Sequence, residues 1–164
     1  EGSSFIIVVG ADVWAPEPLG RIDLLVAGSK VAAMWPHNGT YGRVLADTLP
    51  GGVRWIDATG FLLVPGLVDP HVHVQGAGGE NGPPSRTPWA QLAELANAGI
   101  TTLFGLTGTD GVSRPLEGLL QKLRAIGQAG FTTHMWTGGY RVPVETILGT
   151  VQRDVMLLEK CQGV

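Results

Sequence analysis

Ala98-Gly99-Ile100-Thr101-Thr102 opens a β-branched run, and Ala129-Gly130-Phe131-Thr132-Thr133 repeats it almost word for word roughly 30 residues later. A glycine directly ahead of such a run marks the close of a helix and the opening of a strand. Between the two, Pro115 stands near the start of a segment with Leu116, Leu119, Leu120 and Leu123 at helical spacing, ending before Gly130. Upstream, Thr87-Pro88 offers a cap with proline at the first helical position, and Leu92, Leu95 and Ala96 share one face up to Ala98-Gly99. Downstream, Phe131–Trp136 reads as a third strand, and Val151, Val155 and Leu158 mark a third helix. Gly163-Val164 then opens a fourth strand. A βα unit with a period of about 30 residues suits right-handed parallel crossovers, and eight of them close a barrel. A doubly wound open sheet shares this local pattern. The chemistry of the first strand favours the barrel.

That strand lies in the apolar run Leu62–His73. Asp69, His71 and His73 alternate along it, so the sequence predicts that they share one face. In a barrel that face is the lumen, and the run ends at the rim where barrel active sites sit. Two imidazoles at i and i+2 converge on one metal ion, with Asp69 placed to act on them from behind. Pro70 has no N–H for the ladder, so pairing should be ending there. Gly76-Ala77-Gly78-Gly79 lets the backbone turn sharply and approach a ligand closely. It is not a dinucleotide fingerprint, because Asn81 stands where the third glycine belongs. His-x-His pairs also arise by chance on exposed strands. Here the apolar strand, the acidic neighbour and the glycine-rich loop set the pair apart.

Residues 1–60 read differently, as a small β-sheet domain ahead of a barrel half at 61–164. Phe5–Val9, Ile22–Val26, Lys30–Met34 and Val53–Asp57 are β-rich runs separated by turns, and Gly28-Ser29 joins two of them in a hairpin. His37, in Pro36-His37-Asn38-Gly39, reads as an exposed loop histidine, and Asn38-Gly39-Thr40 as a turn rather than a glycosylation site. His134 lies mid-strand and reads as structural. The 164 residues are 44% hydrophobic and 15% charged with a net charge of −3. This leaves no basic patch for nucleic acid and no polybasic stretch for a membrane surface. The longest apolar runs fall short of the ~20 residues of a membrane helix. No charged leader precedes the first run, so no signal peptide is expected. The single cysteine, Cys161, cannot form an internal disulfide, which fits a reducing, cytoplasmic setting.

Pro65-Gly66-Leu67-Val68-Asp69-Pro70-His71-Val72-His73 resembles the first-strand signature of the amidohydrolase superfamily. Gly78-Gly79-Glu80-Asn81-Gly82-Pro83, Arg86-Thr87, Gly108-Thr109-Asp110, Ser113-Arg114 and Thr137-Gly138-Gly139-Tyr140 narrow the resemblance to the isoaspartyl dipeptidase family, in register over most of residues 10–164. Dihydroorotases are similar at Asp-Pro-His-Val-His but carry arginine where this chain has Gln75. The resemblance implies a (β/α)8 TIM-like barrel enzyme with two Zn2+ ions, cleaving the isopeptide bond of a small β-aspartyl dipeptide by metal-bound hydroxide. It implies that His71 and His73 ligate one zinc. The bridging ligand would be a carbamylated lysine expected just beyond Val164, where the fourth strand begins. Gly78, Glu80 and Thr109 become substrate contacts, with Glu80 recognising the α-amino group. Tyr140 becomes both a substrate contact and a catalytic donor to the scissile carbonyl. On residues alone, a solvated loop glutamate, a turn threonine and a packed loop aromatic stand as alternatives. A homo-oligomer is also implied. The neighbouring possibilities are a hydantoinase or deacylase, and a non-catalytic dihydropyrimidinase-like scaffold.

Overall fold

The computed structural model describes residues 5–164, in two compact units, Glu1–Pro65 and Gly66–Val164. Among the described residues no helix is long and apolar enough to cross a membrane.

The first unit runs β1 (Phe5–Trp14), β2 (Pro18–Ala27), β3 (Lys30–Pro36), α1 (Tyr41–Thr48), β4 (Val53–Asp57) and β5 (Leu62–Leu63). Its sheet has the order β3-β2-β1-β4, with β5 also pairing β1. The expected hairpin is present as β2 and β3, antiparallel, with Leu25 opposite Ala33 and Ala27 opposite Lys30. Ala11, Val13 and Ala58 form a small buried cluster with Val8, Ile22 and Leu63 against it. Two expectations change here. The turn-rich stretch after Pro36 leads straight into α1, because Asn38 Oδ1 accepts the amide N–H groups of Thr40 and Tyr41 at 3.0 Å each. His37 is not a free loop histidine: its Nδ1 lies 2.6 Å from Oδ1 of Asp23, which is 1% exposed. The same oxygen accepts the Gly10 amide at 2.7 Å, so the imidazole helps satisfy a carboxylate that would otherwise be expensive to bury.

The second unit alternates β6 (Leu67–Val72), α2 (Leu92–Asn97), β7 (Ile100–Gly105), α3 (Leu116–Gln128), β8 (Thr132–Trp136), α4 (Val151–Leu157) and β9 (Cys161–Gly163). The four strands are parallel and stand in chain order β6-β7-β8-β9. A doubly wound sheet reverses direction near its first strand, whereas this order keeps one direction throughout. The apolar run Leu62–His73 is therefore not one strand. Leu62–Leu63 pairs with β1 and Leu67–Val72 with β7. The break falls around Pro65, which has no N–H to offer either ladder.

One face of the parallel sheet is closed by α3. Leu119 and Leu123 are fully buried with Leu103 and Met135, and Val74, Leu95, Leu116, Leu120, Ile126 and Cys161 join them in the core. The helix approaches so closely that a Cβ on Gly105 would sit 2.9 Å from both Leu123 methyls. In the full-length protein, Leu123→Ala is expected to lower the free energy of unfolding by about 2–5 kcal/mol. Urea unfolding measures this, and a loss below ~1 kcal/mol would contradict the packing. The start of α2 also differs from expectation. The helix begins at Leu92, where Glu94 Oε2 accepts the Gln91 amide at 3.2 Å. Thr87 is not its cap. Its hydroxyl accepts the Ala77 amide at 2.7 Å, tying the long loop after β6 back onto itself.

Candidate metal and substrate site

In a parallel sheet the strands' carboxyl ends share one edge, and the loops leaving it form the binding surface. Every candidate residue except His71, at the end of β6, lies on such a loop. The ladder bends first. The β6–β7 register shifts between Asp69 and Val72, across Pro70, so simple alternation does not run from Asp69 through His71. Asp69 Oδ1 instead accepts the His71 amide at 3.0 Å. Among the described residues, no hydrogen bond joins it to either imidazole, so it holds the histidine strand by its backbone. Trp136 adds a second brace: its Nε1 donates to the Pro70 carbonyl at 2.9 Å while its ring stacks on Phe104.

His71 and His73 meet edge to face with ring centroids 5.2 Å apart. His73 Nδ1 is buried and has no hydrogen-bond partner. Burial pushes the His73 pKa down and the neighbouring His71 adds to the shift, so the neutral imidazole is favoured. Neutral imidazole is the form that ligates zinc. An orphaned ring nitrogen beside a second histidine therefore fits a borderline-soft ion. Among the described residues, no group of three or more His, Cys, Asp or Glu side chains is placed to hold a metal.

Three of the four expected substrate contacts come together. Thr109 Oγ1 donates to Glu80 Oε1 at 2.9 Å and reaches the Gly78 carbonyl at 3.5 Å. Gly78 has φ +77, and a Cβ there would lie 2.4 Å from the Ser85 carbonyl, so the loop can turn only with glycine. The Glu80 carboxyl is held below its ordinary pKa, first by its own backbone amide, then by the Thr109 hydroxyl, with His73 contributing. An anionic carboxylate within the electrostatic reach of His73 is the result. Tyr140 stands apart on the loop after β8. It is 76% exposed, and among the described residues no hydrogen bond reaches its phenol. It borders a cleft of about 360 Å³ lined by Leu106, Thr107, Trp136 and Thr137. His134 packs against Phe104 at a centroid distance of 4.7 Å, with Nδ1 buried and unpartnered.

Sequence reasoning overlooked the clamp that holds these loops. Arg86 pairs with Asp110 and donates to Ser113 Oγ at 2.9 Å, and Arg114 donates to the Thr87 carbonyl at 3.1 Å. Asp110 Oδ1 also accepts the amides of Val112 and Ser113, a local pattern that Asp110-Gly111-Val112-Ser113 does display. Its arginine partner is distant in sequence and carries no local signal. The Ser113 hydroxyl and amide, helped by Arg86, hold the Asp110 carboxyl down to about 2. The folded pKa is depressed, so the group's stabilising contribution is complete above the ordinary value of 3.8 and lost as pH falls through about 2. Carboxyl-detected NMR is expected to place the Asp110 midpoint near 2. A midpoint near 3.8 would refute the clamp.

No family model matches this chain. Over its whole length it superposes on the β-aspartyl dipeptidase of Fervidobacterium islandicum AW-1, solved in complex with the β-Asp-Leu dipeptide. The TM-score is 0.88 and the identity 39%, covering 41% of that chain. The dihydroorotase of Leifsonia xyli subsp. xyli is 31% identical over 126 residues, 76% of this chain and 26% of the relative. The allantoinase of Streptomyces avermitilis is 32% identical over 105 residues. Its relatives are amidohydrolase-superfamily enzymes. The L-hydantoinase of Arthrobacter aurescens, at 24% identity and TM-score 0.53, shares the fold. The chain spans a fifth to a quarter of the length of the dihydroorotase and the allantoinase and two-fifths of the dipeptidase.

Proposed function

We propose that this chain supplies the first strands and the substrate loops of a zinc-dependent (β/α)8-barrel hydrolase that cleaves β-aspartyl dipeptides. The observation that carries the reading is the joining of Gly78, Glu80 and Thr109 on loops that leave the same sheet edge as the His71–His73 pair. The 39% identity to a dipeptidase holding β-Asp-Leu supports it.

His71 and His73 would hold zinc through their imidazoles. The remaining ligands, a bridging lysine carbamate among them, are proposed to come from sequence beyond Val164. When bound, zinc supplies Lewis-acid polarisation of the scissile carbonyl and an acidified water. The rest of the chemistry here belongs to protein groups. Glu80, kept anionic by its own amide and Thr109, receives the substrate ammonium. Gly78 presents its carbonyl beside it. Tyr140 donates its phenolic proton in a hydrogen bond to the carbonyl oxygen, which strengthens as charge develops there.

The direct experiment is an assay of the purified full-length protein on β-Asp-Leu and on a hydantoin. Release of aspartate and leucine is the expected result. Turnover of the hydantoin alone would assign the site to a cyclic-amide hydrolase. A protein that holds no zinc after purification without chelator would be a scaffold. Within the dipeptidase reading, Glu80→Gln is expected to raise KM roughly 10-fold, the scale of a charged hydrogen bond worth ~1.5 kcal/mol. Steady-state kinetics measures this, and an unchanged KM would remove Glu80 from ammonium recognition.

A further inference from the structure

The segment from Thr137 to Thr150 leaves β8 at the site edge and returns into α4. Its tip is bare: Tyr140 is 76% exposed and Val142 95%. Its ends are not. At the outgoing end Thr137 is buried, and the Gly138 carbonyl accepts the Thr107 hydroxyl at 2.9 Å. At the returning end the amides of Ile147 and Leu148 both point at one carboxylate. That carboxylate is Asp154, in the first turn of α4 and 0% exposed. Its Oδ2 accepts the Thr137 hydroxyl at 2.5 Å and the Ile147 amide at 2.9 Å. Its Oδ1 accepts the Leu148 amide at 2.7 Å. One buried side chain therefore ties the two ends of the loop together.

We propose that Asp154 is a positioning residue for Tyr140, fixing both ends of this loop so that the phenol is held at the cleft. The proposal rests on the reading of Tyr140 as donor to the scissile carbonyl. Its physical basis is the acceptor count. Hydrogen bonds to a carboxylate are short and about twice as strong as neutral ones. Here Oδ2 accepts from both ends of the loop, Thr137 and Ile147, and Oδ1 accepts a further amide of the returning end, Leu148. An asparagine amide in the same place would face the Ile147 or the Leu148 N–H with its own NH2 group, so one bond of the returning end would be lost. Misplacing a reacting group by about 1 Å can cost ~10²-fold in rate.

The test uses the full-length protein. Asp154→Asn and Thr137→Val are made alone and in a Tyr140→Phe background. For each, kcat and KM are measured on β-Asp-Leu, and trypsin cleavage after Arg141 is followed on the same preparations. Asp154→Asn is expected to lower kcat about 10²-fold with a smaller change in KM, and to speed cleavage after Arg141. In the Tyr140→Phe background it should cost nothing further, because the positioned group is already gone. Thr137→Val, which removes one bond of the set, should move both readouts the same way by less. Effects that add in full across the Tyr140→Phe background overturn the proposal, as do an unchanged kcat and cleavage rate. Should Asp154→Asn fail to fold, Thr137→Val decides by the same two readouts. A wild-type protein that leaves β-Asp-Leu intact refutes the dipeptidase reading and with it the catalytic role given to the loop. Cleavage after Arg141 needs no substrate, so it separates that failure from a failure of Asp154 as the anchor.

Discussion

His71→Ala is expected to strip the full-length protein of most of its zinc. It should also lower kcat/KM by more than the ~10–100-fold that loss of a ligand's outer partner costs. The position allows a clean experiment. His71 is exposed at the end of β6 and contributes nothing to the buried core. Its removal takes nothing from the core of this unit, and a folding control lets metal content and turnover report the site itself. His73 would be a poorer choice, because its ring is partly buried with Nδ1 shut away from solvent, so truncating it also removes packing. Metal analysis after gel filtration, with the melting temperature of the metal-free protein as control, measures the effect. Wild-type zinc content together with wild-type turnover would take His71 out of the site.

Tyr140→Phe should cost about 10²–10³-fold in kcat, the scale seen when one oxyanion donor is removed, with a much smaller change in KM. The split follows from when the bond matters. A phenol that donates to a carbonyl gains most as negative charge builds on the oxygen, so its loss raises the barrier more than it weakens binding. The ring is exposed in this chain and its hydroxyl bonds nothing among the described residues, so the substitution breaks no hydrogen bond within it, and the melting temperature serves as the folding control. A kcat within twofold of wild type would return Tyr140 to the status of a loop aromatic.

Much of the secondary structure was legible because burial has a period. Leu116, Leu119, Leu120 and Leu123 announce α3, and the two Ala-Gly-β-branched openings announce β7 and β8. The misreadings share a cause. The run Leu62–His73 is apolar throughout, and apolarity says that a segment pairs or packs without saying with what. Its two halves joined different sheets. Thr87-Pro88 carries the chemistry of a helix cap, yet the Ala77 amide competes for the same hydroxyl and takes it. Asp69 was expected behind the imidazoles. The register shift at Pro70 turned its carboxylate to the His71 amide instead.

The site divides along the same line. His71 and His73 are two positions apart on one strand, so their approach is a matter of local backbone geometry and can be read from the sequence by itself. The glycines that let the following loop turn are equally local. Glu80 and Thr109 lie 29 residues apart and meet only because β6 and β7 pair in parallel and put both loops at one edge. Arg86 and Asp110, and Asp154 with the Thr137 loop, are contacts of the same kind. Local pattern determined the elements and the histidine pair. Which distant side chains satisfy one another was decided by tertiary structure, because a buried donor or acceptor takes whatever partner the packing of the sheet and helices brings within reach.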